Sequence, residues 1–122
     1  MTAMVRAIRG ATTIDTDTPE EIRQRTQALI SQILERNALA ADDLVSVILT
    51  STPDLHSYFP ATAARDLGLE GVPLLGSQEI DVVGALPRCI RVLVHCYSER
   101  SKAEIAHVYL EGARVLRTDL AG

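Results

Sequence analysis

The stretch DTPEEIRQRTQALISQILERN, residues 17–37, is the clearest helical signature in the chain, and it sets what the rest can build. Thr18 is placed to cap the helix. Pro19 fits the first helical position, where an N–H has no partner to lose, and Glu21 completes a capping box with Thr18. Ile22, Ala28, Leu29, Ile30, Ile33 and Leu34 gather on one side, with Arg23, Gln27 and Glu35 elsewhere, so the helix predicts cover for a sheet with a single face.

Most other apolar segments follow strand patterns. AMVRAIRGATT alternates, with Val5, Ala7 and Arg9 on one face and Met4, Arg6 and Ile8 on the other, and the pattern predicts a strand ending at Gly10. Leu44 to Thr50 is almost continuously apolar, which predicts burial on both sides near the sheet centre. VPLLG supplies a third strand, and RCIRVLVHCY, residues 88–97, supplies the fourth and longest. The tail predicts a helical turn, with a capping box from Ser101 to Glu104, and then a short edge strand. Between the second and third strands, TPDLHSYFPATAARDLGLEG holds a short helical stretch with Pro60 near its start and Gly68 near its end. A connection of this length is more often functional than idle.

The fold class is therefore α+β: a mixed sheet of about five strands with one long helix on one face, in a single domain spanning residues 1–122. One helix hides only part of one sheet face. A homo-oligomer packing sheet against sheet would cover the other, and would bring strand-borne arginines to a subunit boundary.

Charge narrows the partners. A formal net charge of -4 argues against nucleic acid, whose binding needs a basic surface. No run of about 18 apolar residues marks a membrane span, and no apolar stretch near the N-terminus reads as a targeting signal. Cys89 and Cys96 lie seven apart on the fourth strand and so point to opposite faces, which predicts buried free thiols in a reducing, cytoplasmic compartment.

Several chemistries have no sequence support. Neither GxxxxGK[ST] nor GxGxxG occurs, and His56, His95 and His107 are too dispersed for a metal site, so no cofactor or metal is expected. His95 and Cys96 are adjacent in a strand and face opposite ways, which removes the nearest nucleophile–base pair. Charge remains. Arg91 sits inside an apolar strand, and a guanidinium taken from water must find an anion. Two readings stay open on pattern alone: a structural ion pair with Glu79 or Asp81, or a pocket for a small polyanion shared with Arg9, Arg65 and Arg117.

Four stretches, IRGATT at 8–13, TPDLHSYFPATAARDLG at 52–68, QEIDVVGALPRCIRVLVH at 78–95 and HVYLEGARVLRTDL at 107–120, together resemble the AroH class of monofunctional chorismate mutases over nearly the whole chain. The resemblance implies a cofactor-free rearrangement of chorismate to prephenate in aromatic amino-acid biosynthesis. It also implies a homotrimer with a pseudo-α/β-barrel appearance and active sites between subunits. By the same resemblance, Arg91 reaches the ether oxygen and one carboxylate of the substrate, Arg9 the side-chain carboxylate region, and Glu79 the ring hydroxyl, while Tyr109 donates to a carboxylate. Phe59, Ala61, Arg65, Leu74 and Leu75 match the wall across the cleft, and Leu116 and Arg117 match a segment closing its mouth.

Two positions depart from the family pattern. Thr62 stands where a lysine often follows FPA, and Gly76 where a cysteine often assists at the hydroxyl. Both departures keep a rival reading in play, a non-catalytic trimeric module that binds a small carboxylate.

Overall fold

A computed structural model describes residues 2–116. Five strands form one sheet: β1 (Met4–Thr13), β2 (Leu44–Ser51), β3 (Leu74–Gln78), β4 (Cys89–Ser98) and β5 (Val108–Tyr109). Their order is β3-β2-β4-β1-β5, with β4 antiparallel to both of its neighbours and the outer pairs β2/β3 and β1/β5 parallel. The sheet is mixed, as expected, with β4 at its centre and β2 beside it.

Helix α1 (Pro19–Arg36) covers one face. The Thr18 hydroxyl accepts the Glu21 N–H at 3.2 Å. Glu21 does not return the bond to Thr18 as a reciprocal capping box requires. Its Oε2 accepts the N–H groups of Asp15 and Thr16 instead, so it ties the incoming loop to the helix start. Ile22, Leu29, Ile30 and Ile33 are buried as the spacing predicts, but Ala28 is exposed and Thr26 takes a buried place. Leu29, Ile30 and Ile33 pack with Ile8, Val47, Leu49, Val92, Val94 and Val108 in the main core. Burying each such side chain contributes about 1.5–3 kcal/mol.

The remaining cover is the short helix α2 (Pro60–Ala64), which runs into a wider turn, Arg65–Leu69, broken at Gly68 with φ +101°. Ala63 and Ala64 are fully buried, and the Gln27 amide donates to the Ala63 carbonyl at 3.0 Å, fastening α2 to α1.

β1 does not end at Gly10. Ala11, Thr12 and Thr13 continue the ladder against Arg91, Ile90 and Cys89. A Cβ on Gly10 would sit 2.8 Å from Ile33 Cδ1 and 3.1 Å from the Val108 carbonyl. Gly10 is thus a point of close approach between β1, α1 and β5, not a strand terminus.

β2 is buried on one side only. Val47 and Leu49 enter the core, whereas Ser46, Ile48 and Thr50 face the opposite way. Register carries that second face across the sheet: Ile48 pairs with Leu93 and Leu75, and Arg9 with Leu93. No helix among the described residues covers this face, and Val5, Leu75 and Tyr97 lie exposed on it. Nor is any described helix long and apolar enough to cross a membrane.

Candidate active site

Arg91 projects from the centre of β4 onto the uncovered face, with Ala11 of β1 on one side in register and Thr50 of β2 on the other. Glu79 follows the last residue of β3, and its N–H donates to the Ser51 carbonyl at 2.9 Å, so the strand ladder fixes its backbone. Arg91 Nε lies 3.8 Å from Glu79 Oε2, with side chains 49% and 30% exposed. This is an ion pair in contact but beyond hydrogen-bond length. The Thr50 hydroxyl donates to the same Glu79 oxygen.

Beneath Arg91 lies a buried floor. Cys89, Ala11, Tyr109 and Ala113 form a buried cluster against which Leu86 and Leu116 pack. Burial pushes the Cys89 thiol pKa up, with the Arg91 charge partly opposing the rise, so this sulfur is held as a thiol rather than poised as a nucleophile. Cys96 is buried and free on the other face, and burial raises its pKa too. Arg9 is exposed on β1 and pairs with Leu93, diagonal to Arg91 across the ladder. Diagonal neighbours of this kind lie about 7–8 Å apart, close enough for two arginines to share one polyanion.

The turn Glu111–Leu116 is pinned to the end of β1, where the Thr13 hydroxyl accepts the Gly112 N–H at 2.9 Å. Arg25 adds a second tie, donating to the Thr13 carbonyl at 2.7 Å and to Asp15 at 2.9 Å. Leu116 is thereby set at the edge of the floor. Arg117 lies outside the described residues.

Two aspartates hold the loops around the site. Asp54 accepts the Arg88 N–H and the Thr52 hydroxyl, and Thr52 in turn accepts the Cys89 N–H at 3.0 Å. Asp17 accepts the His56 and Ser57 N–H groups and the Ser57 hydroxyl, which holds its carboxyl below the ordinary range. Sequence reasoning missed both, although TPD and DTP are local turn signals.

The second group of expected residues gathers elsewhere. Phe59, Ala61 and Arg65 line a cleft of about 750 Å³ with Thr62, Gly76 and Ser77. Phe59 is 78% exposed at its rim. Leu75 stands on the uncovered sheet face, whereas Leu74 points the other way and packs partly buried against the main core. Gly76 pairs with Leu49 on the core side of β3, opposite to Ser77 and Glu79, so a side chain there would enter this cleft and not approach Glu79 of the same chain. Arg91, Glu79, Arg9 and Tyr109 are not among the residues lining the cleft. One chain therefore holds a charged cluster and an aromatic wall as two separate surfaces.

Such a pairing, a strand-borne arginine beside a carboxylate with no activated thiol, suits binding and charge stabilisation rather than nucleophilic attack. The model of the family chorismate mutase type I matches residues 5–120. The chain belongs to the type I chorismate mutase family. It is 48% identical over 119 residues to chorismate mutase AroH of Bacillus subtilis, covering 97% of this chain and 94% of the relative. Identity to chorismate mutase AroH of Thermus thermophilus is 48% over 118 residues, covering 96% and 97%. A solved chorismate mutase from Clostridium thermocellum superposes with a TM-score of 0.89 at 47% identity, covering 90% of this chain and 98% of that one. The mixed five-stranded α+β fold is thus the fold of a chorismate mutase, and the resemblance seen in the sequence is family membership.

Proposed function

We propose that this chain is an isomerase that converts chorismate to prephenate, acting as one domain in a homotrimer whose active sites are closed between neighbouring copies. Chorismate mutases of the same family, 47–48% identical over nearly the full chain, support the activity. The observation that carries the mechanism is the Arg91–Glu79 pair, two opposite charges 3.8 Å apart on an open surface.

The rearrangement breaks one C–O bond and makes one C–C bond in a cyclic transition state. Negative charge grows on the ether oxygen while positive charge spreads over the ring. Arg91 meets the first, together with a substrate carboxylate. Glu79 holds the ring hydroxyl and faces the second. A fixed cation aimed at developing charge in a water-poor cleft acts without reorganising, which is the main source of rate in such a site. Arg9 takes the side-chain carboxylate, Tyr109 donates to a carboxylate, and both help hold the reactive chair-like conformer.

The wall, comprising Phe59, Ala61 and Arg65 with Leu75, faces the charged cluster of the next copy, and Leu116 closes the mouth. Two features support assembly through the uncovered sheet face. It exposes Val5, Leu75 and Tyr97, and the wall and the charged cluster stay apart within one chain. Three copies packed this way give the pseudo-α/β-barrel, sheets inside and helices outside. We assign the enzyme to the cytoplasm, where its two free cysteines stay reduced.

The test is loss of chorismate ultraviolet absorbance on adding purified protein, with oligomer mass measured by light scattering. Turnover and a trimeric mass are expected. Chorismate binding without turnover would overturn the proposal, and turnover by a monomer would overturn the intersubunit site.

A further inference from the structure

We infer that Thr50 is a positioning residue that keeps Glu79 from collapsing onto Arg91. The inference rests on the reading of Glu79 and Arg91 as the catalytic pair and assigns a task to a residue that no family motif singled out. Among the described residues, Glu79 Oε2 has two polar partners: the Thr50 hydroxyl, which donates to it, and Arg91 Nε at 3.8 Å. An unrestrained carboxylate and guanidinium so close would close to a forked contact of about 2.7–2.9 Å. Such a contact would neutralise both groups, turning Glu79 from the substrate hydroxyl and Arg91 from the ether oxygen.

Backbone register makes Thr50 suited to prevent this. It lies between Ser77 of β3 and Arg91 of β4 on the same sheet face, and its branched side chain has few rotamers in a strand. The hydroxyl thus approaches Glu79 from a fixed point beside Arg91. Its single proton occupies Oε2, and among the described residues no donor reaches Oε1, which stays available for a ligand hydroxyl. Thr50 does not act on substrate itself. Its contribution is to hold two opposite charges near each other but unjoined, an arrangement that costs free energy unless something else satisfies the carboxylate.

The test is steady-state kinetics on chorismate for five variants, with melting temperatures measured in parallel. Thr50→Val, nearly isosteric, is expected to lower kcat about tenfold, the effect of losing a hydrogen bond to a charged group, with KM within about twofold. Thr50→Ser restores the hydroxyl and is expected to recover kcat to within about twofold. Glu79→Gln is expected to lower kcat strongly, and adding Thr50→Val to it to cost less than about twofold more, because the two residues act as one unit. Thr50→Ala repeats the loss should Val disturb the strand. Unchanged kcat in Thr50→Val and Thr50→Ala would overturn the inference while leaving Glu79 its role, as would a loss that Ser fails to recover or one that multiplies with Glu79→Gln. Full activity in Glu79→Gln would instead overturn the reading of Glu79 itself.

Discussion

Asp54 accepts the backbone N–H of Arg88 through both carboxylate oxygens, at 2.9 and 3.2 Å. Arg88 has φ +47°, a left-handed conformation that a non-glycine residue adopts only when its surroundings hold it there. The same carboxylate takes the Thr52 hydroxyl, and Thr52 exchanges backbone and side-chain bonds with Cys89. Arg91 begins two residues later. The entry of β4 is held by this loop carboxylate together with Ile14, whose N–H donates to the Arg88 carbonyl at 2.8 Å and whose carbonyl accepts Arg88 Nε at 3.0 Å.

That carboxylate makes the entry acid-sensitive. Partial burial pushes the Asp54 pKa up, but the Thr52 hydroxyl, the Arg88 and Asp54 N–H groups and the Arg88 charge outweigh it, and the net shift is downward. A carboxyl with a lowered folded pKa stabilises the fold fully above the ordinary carboxylate range and loses that contribution as pH falls through the lowered value. Asp54→Ala is expected to melt about 3–5 °C lower at pH 7, and the gap between variant and parent should shrink to nothing in strong acid. Melting curves from pH 7 down to about pH 2 check this; a gap that widens with acid would reverse the assignment.

Arg91 admits no conservative replacement. Arg91→Ala removes the cation proposed to face the ether oxygen and is expected to lower kcat by about 10²–10³, equivalent to roughly 3–4 kcal/mol. Arg91→Lys should also fail substantially, because a point charge cannot reach the ether oxygen and a carboxylate in one forked contact. Stopped or steady-state absorbance assays on both variants measure the losses, and near-normal turnover in Arg91→Ala would remove Arg91 from the mechanism.

The legible parts of this protein are those governed by local chemistry. Thr18 and Pro19 announce the start of α1 because caps are satisfied within one turn. Alternation reveals β1 and places Arg9 on the face it occupies. What escapes is tertiary. Gly10 looks like a strand end in the sequence, yet its role is to admit Ile33 and Val108, residues far along the chain. Leu44 to Thr50 looks buried on both sides, yet Ser46, Ile48 and Thr50 face the side of the sheet that no described helix covers. Arg91 and Glu79 stand out through family motifs, whereas Thr50 does not, because a threonine in an apolar strand is an ordinary β-former until its hydroxyl is seen on Glu79.

Thr62 offers a gain-of-affinity test. It lines the cleft beside Ala61 and Arg65, in a chain of net charge -4 approached by a dianion. Thr62→Lys adds a cation at the wall, and an attraction of about 1 kcal/mol at a solvated surface predicts a KM about fivefold lower with kcat little changed. The gain should fade as salt rises toward 0.5 M, since the screening length is already about 10 Å at 0.1 M. A KM unmoved at low salt would separate Thr62 from the substrate path.

Gly10 and Gly76 form a matched pair for testing how the sheet carries Tyr109. A methyl at Gly10 would meet Ile33 Cδ1 at 2.8 Å, the Val108 carbonyl at 3.1 Å and Leu29 Cδ1 at 3.2 Å. The two side-chain ends can shift, but the Val108 carbonyl belongs to β5, a two-residue strand paired to β1 through Gly10↔Val108 and Ala11↔Tyr109. Relief of the clash therefore pushes β5 outward and takes Tyr109 with it. Gly10→Ala is expected to destabilise by about 1–3 kcal/mol, as overpacking does, and to raise KM through the displaced tyrosine. At Gly76 the nearest atom to a new methyl is the Leu49 carbonyl at 4.0 Å, ordinary contact distance. Gly76→Ala should leave the melting temperature within about 1 °C, since substitutions that disturb no packing stay within about 0.5 kcal/mol. Denaturant melts of both variants with KM measured alongside distinguish the cases. Equal stability in the two would mean that β5 yields freely, and Tyr109 would then lack the fixed position that its proposed contact with substrate requires.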